Sequence, residues 1–318
     1  MRLQHGLRAA VLCVVVAPAA TAQGRYAALA DSIIAAWKHA DVVCLGESHG
    51  RYFDNELRIA VVRHPDFSRV ARVVVVEMAN PIQQPLLDRF VLDGEQLSRE
   101  QLAPVWRDAT NPEVWEIPIY EAFLRAIRDV NLRLPREQRV RVLGGDSRVD
   151  WSRITRPEDL IPFMNRGGNI RNLIAEQVLD PGLKALAIYG GGHCLKIGMG
   201  FPGDLSGRYP LSRFWAIYPL HSKAEMAKAR ALFGLTDTPA YVVLSNSAWG
   251  SQSSEGLLDH RFSGFPLGSL YDALIYHGDV PDSVVSPDTV AFRASFGPEL
   301  DRRHRILAEA VRLRQRRP

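Results

Sequence analysis

The sequence predicts an α/β protein, a mostly parallel, doubly wound sheet with helices on both faces and a helical cap inserted after the second strand. Three observations carry that reading. Seven short runs are apolar and β-branched on consecutive residues, as in strands buried between two helical layers. Helix-like segments separate most of these runs. Polar residues and glycines cluster directly after the first four.

The runs are Asp41–Leu45, Arg72–Val76 ("RVVVV"), Arg139–Leu143 ("RVRVL"), Ala185–Tyr189 ("ALAIY"), Phe214–Tyr218 ("FWAIY"), Tyr241–Leu244 ("YVVL") and Ala273–Tyr276 ("ALIY"). The helix-like segments are Tyr26–His39, Tyr52–His64, Pro118–Arg133, Asn169–Leu179 and Lys223–Phe233. Between the second and third strands, Pro81, Pro85 and Pro112 divide a long stretch into several short helices that include Trp106, Trp115 and Tyr120. An insertion at 81–138, hung from a strand's C-terminal end, fits a cap over a pocket, and equally an ordinary pair of crossover helices. The Gly- and Pro-rich segment Lys196–Ser212 reads as a loop beside the fourth strand.

Residues 1–22 have the form of a secretory signal: Arg2 and Arg8, the apolar run Ala9–Ala17, then Ala20-Thr21-Ala22. The run is too short to span a bilayer, and no later segment approaches a membrane span. The expected product is an exported (periplasmic or secreted), soluble chain cut near Ala22. It comprises a single domain at 23–298 and a basic C-terminal helix or tail at 299–318. The tail holds seven arginines against three acids and accounts for the basic pI of about 9.0. We read it as a solvated face, with no nucleic-acid partner. Two cysteines outlast signal removal, Cys44 and Cys194, too few for a disulfide-built scaffold. The expectation is two separate buried thiols; the alternative is a disulfide, should the first and fourth strands lie side by side.

In open parallel sheets, ligands bind beyond the carboxyl ends of the strands. The residues there are Gly46, Glu47, Ser48 and His49 after the first strand, and Glu77 and Asn80 after the second. Asp146, Ser147 and Arg148 follow the third, and Gly190 to His193 the fourth. Singly, each has a plain structural reading: Glu47 or His49 as a helix cap, Asp146 as a turn former. Together they predict a site. A histidine with a carboxylate to orient it is a general base for water, so His49 with Glu77 is the leading pair. Glu47 and His193 position the water, and Arg58 contacts an oxyanion or a substrate carboxylate. Asp146, Arg148, Asn80 and Arg171 are the candidate substrate contacts. Alternatively, Glu47, His49, Asp146 and His193 form an oxygen and nitrogen set for Mn, Zn or Co. "GESHG" lacks the Gly-x-Ser-x-Gly elbow, and there is neither a Gly-x-Gly-x-x-Gly turn nor a P-loop, so nothing supports a serine nucleophile or a nucleotide cofactor.

The motifs "LGESHG", "VVVVEMAN", "GGDSR" and "IYGGGHC", in that order, resemble the superfamily of erythromycin esterases, ChaN-type haem-binding proteins and TIKI/TraB proteins. Gly46–His49 and Gly190–His193 match the paired Gly-x-x-His motifs of the TIKI/TraB branch. His49, Arg58 and Glu77 fall where the esterase branch has its histidine, arginine and glutamate. The first motif has the short Glu-x-His form of ChaN-like members. "RNLIAEQVL" and "YDALIYHGDVP" resemble later family segments, extending the likeness over roughly residues 35 to 285. The resemblance implies a hydrolytic site in one branch, a metallopeptidase in another and haem binding in the third. The readings carried forward are a hydrolase of ester or amide bonds acting on a small-molecule or peptide substrate, a non-catalytic binder of haem or metal, and a member that keeps the fold alone.

Overall fold

The computed structural model describes residues 22–198, 200–258, 262–279 and 284–316. The expected signal segment lies outside them up to residue 21. Among the described residues no helix is long and apolar enough to cross a membrane.

The seven strands are β1 (Val42–Glu47), β2 (Val73–Val76), β3 (Arg141–Gly144), β4 (Ala185–Gly190), β5 (Phe214–Pro219), β6 (Ala240–Val243) and β7 (Ala273–Tyr276). They form one sheet in the order β3-β2-β4-β1-β5-β7-β6, parallel except for β6, which runs antiparallel to β7 at the edge. The strands expected from apolar runs are all present, with ends shifted by no more than two residues.

Both faces of the sheet are covered, which explains the continuous apolar runs. Val43, Leu45, Val74 and Val76 join one core with Ile33, Trp37, Leu57 and Phe123. Val42, Cys44, Val73 and Val75, one residue out of phase, join the other with Ile174, Ala187, Tyr189 and Leu270. Alternating residues of a strand point to opposite faces, so each strand feeds both cores.

The 81–138 segment is helical. Its helices Gln84–Val91, Pro104–Arg107, Pro112–Trp115 and Pro118–Asn131 each carry proline at the first or second position. Proline there lacks only an N–H that has no partner in the helix, and its fixed φ suits the first turn. These prolines start helices as well as divide them. The basic C-terminal segment starts earlier than residue 299. One helix runs Thr289–Gln315 and carries Pro298 inside it, so the expected boundary at 298 falls mid-helix. This helix is docked on the body: Arg303 donates to Asp108 at 2.9 Å and lies 4.6 Å over the Trp151 ring, while Ile306 and Ala310 pack with Trp151 and Leu160.

Cys44 and Cys194 are bonded to each other, with 5.6 Å between their Cα atoms. The two buried thiols expected from composition are therefore corrected to a disulfide. The physical reason is the β1–β4 pairing, which sets Glu47 beside Gly190 and brings the turn after β4 back over β1.

Candidate active site

β1 runs two residues further than its apolar stretch, to Glu47, whose side chain is buried at the sheet's carboxyl edge. Three groups hold that carboxylate. The Arg58 guanidinium donates to Oε2, the Tyr120 hydroxyl donates to Oε1 at 3.1 Å, and Nδ1 of His49 lies 2.9 Å from Oε1. A carboxylate paired with a guanidinium is ionised and can only accept, so Nδ1 of His49 carries the proton and Nε2 is the basic nitrogen. Burial, then the adjacent Glu47 charge, holds the Tyr120 phenol well above its ordinary pKa, which keeps it a donor. Its oxygen also accepts the Gly50 N–H at 3.1 Å. The His49 ring packs edge-on to Trp115 at 4.6 Å and keeps its side chain 37% exposed.

Glu77, the residue after β2, is buried beside this pair. Its Oε2 accepts the Gly190 N–H at 2.7 Å, and its Oε1 lies 3.5 Å from Nε2 of His193, whose side chain is 29% exposed. Residue 190 lies close against the His49 and Glu77 side chains. A Cβ there would sit 3.4 Å from His49 Nε2 and 3.5 Å from Glu77 Oε2. The basic nitrogen of His49 and the Glu77 carboxylate thus flank one point. Expectation had Glu77 orienting His49; the Nδ1 partner is instead Glu47, two residues back in the same turn.

Other predicted residues do different work. Arg58 is 2% exposed and covered by the Tyr120 and Phe123 rings at 4.8 and 5.0 Å, so it anchors Glu47 and has no route to a substrate oxyanion. Asn80 is fully buried. It donates to the carbonyls of Asp108 (2.6 Å) and Val149 (2.8 Å) and accepts from Ile82 N–H (2.9 Å), which makes it a pin for the insertion and not a substrate contact. Asp146 accepts from the Thr110 hydroxyl at 2.9 Å and from its amide, pinning the same segment. Arg148 is exposed and lines, with Asp146 and Asn169, a separate cleft of about 360 Å³ at the β3 edge. Arg171 lies 3.5 Å from Asp204. The alternative metal set is not assembled: Asp146 serves Thr110, and among the described residues no three His, Cys, Asp or Glu side chains form a group able to hold a metal.

Sequence reading missed a second polar cluster on the other side of His49. Asp54, buried on the helix Tyr52–Arg63, accepts the Ser48 N–H at 2.9 Å through Oδ2 and binds Nε2 of His277 at 2.8 Å through Oδ1. His277 Nδ1 in turn lies 3.1 Å from the Tyr26 hydroxyl. His221 Nδ1 is 3.9 Å from Asp54 Oδ2. Burial pushes the Asp54 carboxyl up, but the hydrogen bond and charge of His277, the charge of His221 and the Ser48 amide outweigh it and leave the pKa below the ordinary value. The signal was available in sequence. His221 and His277 follow β5 and β7 closely, as His49 follows β1, and the same test of strand ends applies to them.

Residues 33–140 match the family model described as haem-binding uptake, Tiki superfamily, ChaN. No curated protein matches the sequence. Among solved structures, an erythromycin esterase mutant in its open conformation is similar at a TM-score of 0.55 and 10% identity, over 79% of this chain and 95% of that one. A Bacillus cereus protein matches at 0.54 and 14% identity, over 79% and 91%. A succinoglycan biosynthesis protein matches at 0.53 and 10%, over 78% and 89%. At such identities the likeness is one of fold. Over residues 33–140 the chain thus carries the sequence pattern of the haem-binding uptake, Tiki-superfamily ChaN family, on a fold that it shares with an erythromycin esterase.

Proposed function

We propose that the protein hydrolyses ester or amide bonds of a small-molecule substrate, with His49 as the general base. The observation that carries this is the Glu47–His49 pair. A buried carboxylate, fixed by Arg58 and Tyr120, holds Nδ1 of a half-exposed imidazole and turns Nε2 toward Glu77. Water near that nitrogen gives up a proton to Nε2 as its oxygen adds to the carbonyl carbon. Glu47 stabilises the imidazolium that forms, and Glu77 with His193 orients the water. Trp115 and Tyr120 extend the 81–138 segment over one side of the site, which supports its reading as a cap.

The test is turnover of p-nitrophenyl acetate by the purified protein and by His49→Ala and Glu77→Gln. Loss of turnover by about 10²–10⁴ in the His49 variant, with an unchanged unfolding midpoint, is the expected result. Equal turnover in all three proteins would overturn the reading.

A haem-binding role is the second reading, supported by the family description over residues 33–140. His193 and His49 are the imidazoles within reach of a ligand, each with one nitrogen already directed at a carboxylate. When bound, haem would supply its own iron chemistry, and these side chains would set its orientation. Titration with haemin, read as a Soret band lost in His193→Ala, decides it; an unaltered haemin spectrum removes it.

Export is supported by the N-terminal signal pattern and by the Cys44–Cys194 disulfide, a bond that persists in oxidising compartments. Terminal sequencing of the protein from a periplasmic or culture fraction should begin at Gln23; a chain still starting at Met1 would contradict cleavage.

A further inference from the structure

Three histidines follow β1, β5 and β7, which are neighbours in the sheet: His49, His221 and His277. Asp54 links their turns. Its Oδ2 accepts the amide of Ser48, the residue before His49, and lies 3.9 Å from His221 Nδ1, while its Oδ1 binds His277 Nε2 at 2.8 Å. β5 flanks β1 on the side away from β4, so His221 stands beside the turn that carries His49, on the side away from Glu77 and His193. These turns are tightly built. A Cβ on Gly46 would meet the Gly191 Cα and the Ile217 carbonyl at 3.0 Å, and the Tyr218 ring packs on both Gly191 and His221. The three histidines differ in freedom. His277 is buried, with both ring nitrogens occupied by Asp54 and Tyr26. His49 is committed through Nδ1 to Glu47. His221 keeps a side chain 15% exposed, and its Nδ1 stands 3.9 Å from Asp54, the carboxylate that also holds the Ser48 amide.

We propose that His221 is a second catalytic residue of this site, donating a proton to the leaving group, so that the substrates are alkyl esters or amides whose leaving atom needs protonation. The proposal rests on the hydrolytic reading above and names its substrate class. His49 Nε2 takes the proton of the attacking water as the water oxygen bonds to the carbonyl carbon. When the tetrahedral adduct collapses, the bond from carbon to the leaving oxygen or nitrogen breaks, its electron pair stays on the leaving atom, and that atom takes the proton of the His221 imidazolium. His221 ends neutral and His49 protonated. One proton lost by His49 to solvent and one gained from solvent by His221 restore both. The groups facing His221 pull both ways. Burial, His277 and Arg51 oppose its proton, Asp54 and Glu225 attract it, and the net pKa falls below the ordinary histidine value. The ring therefore takes up its proton as pH falls, and alkyl-ester turnover through His221 should fall as pH rises above that pKa.

The experiment compares p-nitrophenyl acetate, whose leaving group departs without a proton, with ethyl acetate, whose leaving group does not. His221→Gln should raise the ratio of p-nitrophenyl to ethyl acetate turnover by about 100-fold. A ratio unchanged in His221→Gln, with the unfolding midpoint kept, overturns the proposal while leaving the hydrolytic reading intact. Should the variant fail to fold, the wild-type protein decides. A shallow dependence of kcat/KM on leaving-group pKa across an acetate ester series supports the proposal, and a dependence as steep as that for free hydroxide overturns it. Wild-type protein that turns over neither ester refutes the hydrolytic reading itself, and this proposal with it.

Discussion

Glu47→Gln tests the centre of the site, because the structure lets its cost be worked out. Gln keeps the shape of Glu but loses the charge and replaces one acceptor by an N–H₂ group. The three partners of the carboxylate are Arg58, Tyr120 and the His49 Nδ1–H, all aimed at it as donors. The amide therefore sets donor against donor at one contact. The larger effect is on Arg58, whose guanidinium is 2% exposed and whose Nη2 already has no hydrogen-bond partner. Removing one member of a buried ion pair costs about 3–5 kcal/mol. The Tyr120 and Phe123 rings lie over Arg58 before and after the change, so they leave that cost as it is. The expected net loss is about 3–5 kcal/mol, more than a hundredfold in the folding equilibrium.

Urea unfolding of Glu47→Gln, Arg58→Met and the double variant measures it. The double variant lacks the stranded charge and should recover about 2 kcal/mol relative to the sum of the singles. Turnover by Glu47→Gln should fall by about 10²–10⁴, as the His49 tautomer is no longer fixed. A loss below about 1 kcal/mol, or strict additivity in the cycle, would refute the claim that Glu47 neutralises a buried Arg58.

Gly190→Ala would place a methyl within 3.3–3.5 Å of His49 and Glu77, so it should cut turnover about tenfold, read as kcat, while shifting the unfolding midpoint little. An unimpaired kcat would argue against a reacting water at that point. Replacing Cys44 and Cys194 by serine opens a loop of 150 residues, for which the chain-entropy relation gives about 5 kcal/mol; urea unfolding of oxidised protein and variant should differ by about 2–5 kcal/mol, and coincident curves would contradict the bond. Stability should fall on acidification in two windows. His221 has a lowered folded pKa, so below about pH 6.5 the unfolded chain binds the proton first, and each such proton removes up to about 1.4 kcal/mol per pH unit. Asp54 is also lowered, so its contribution is present above about pH 3.9 and is lost as pH falls through the folded value. His221→Gln should flatten the upper window alone; an unaltered slope there would assign it to another group.

The sheet was legible because burial on both faces writes itself as unbroken apolar runs. "RVVVV" and "ALIY" admit few other readings, and β7 matches its run residue for residue. The strand-end residues Glu47, His49, Glu77 and His193 were legible for the related reason that parallel strands deliver their carboxyl ends to one edge. What sequence does not carry is which neighbour a side chain turns to. Asp146 serves Thr110, 36 positions earlier, and Asn80 serves Asp108 and Val149; both are polar residues after strands, and both fix the insertion in place. Arg58 occupies the expected helix, yet Phe123 and Tyr120, supplied from 65 and 62 residues away, close it off from substrate. The disulfide required strand order, since Cys44 and Cys194 meet only because β4 inserts between β2 and β1.

The turn after β4 shows how these fixed contacts bear on catalysis. Gly190, Gly191 and Gly192 precede His193, and glycine loses more backbone freedom on ordering than any other residue. At Gly191 a Cβ would sit 2.8 Å from the Tyr218 ring, and Gly190 lies close against His49. So supple a turn would leave His193 poorly placed unless other contacts restrain it. Glu77 holds the Gly190 amide at 2.7 Å, the Tyr271 hydroxyl donates to the Gly191 carbonyl at 3.1 Å, and the disulfide fixes the residue after His193 to β1, three residues before Glu47. Each restraint comes from a different strand or its flank, and together they tie His193 to the strand that carries His49. The freedom of the turn is thus given up when the protein folds, so the spacing between the two imidazoles is set before a substrate arrives.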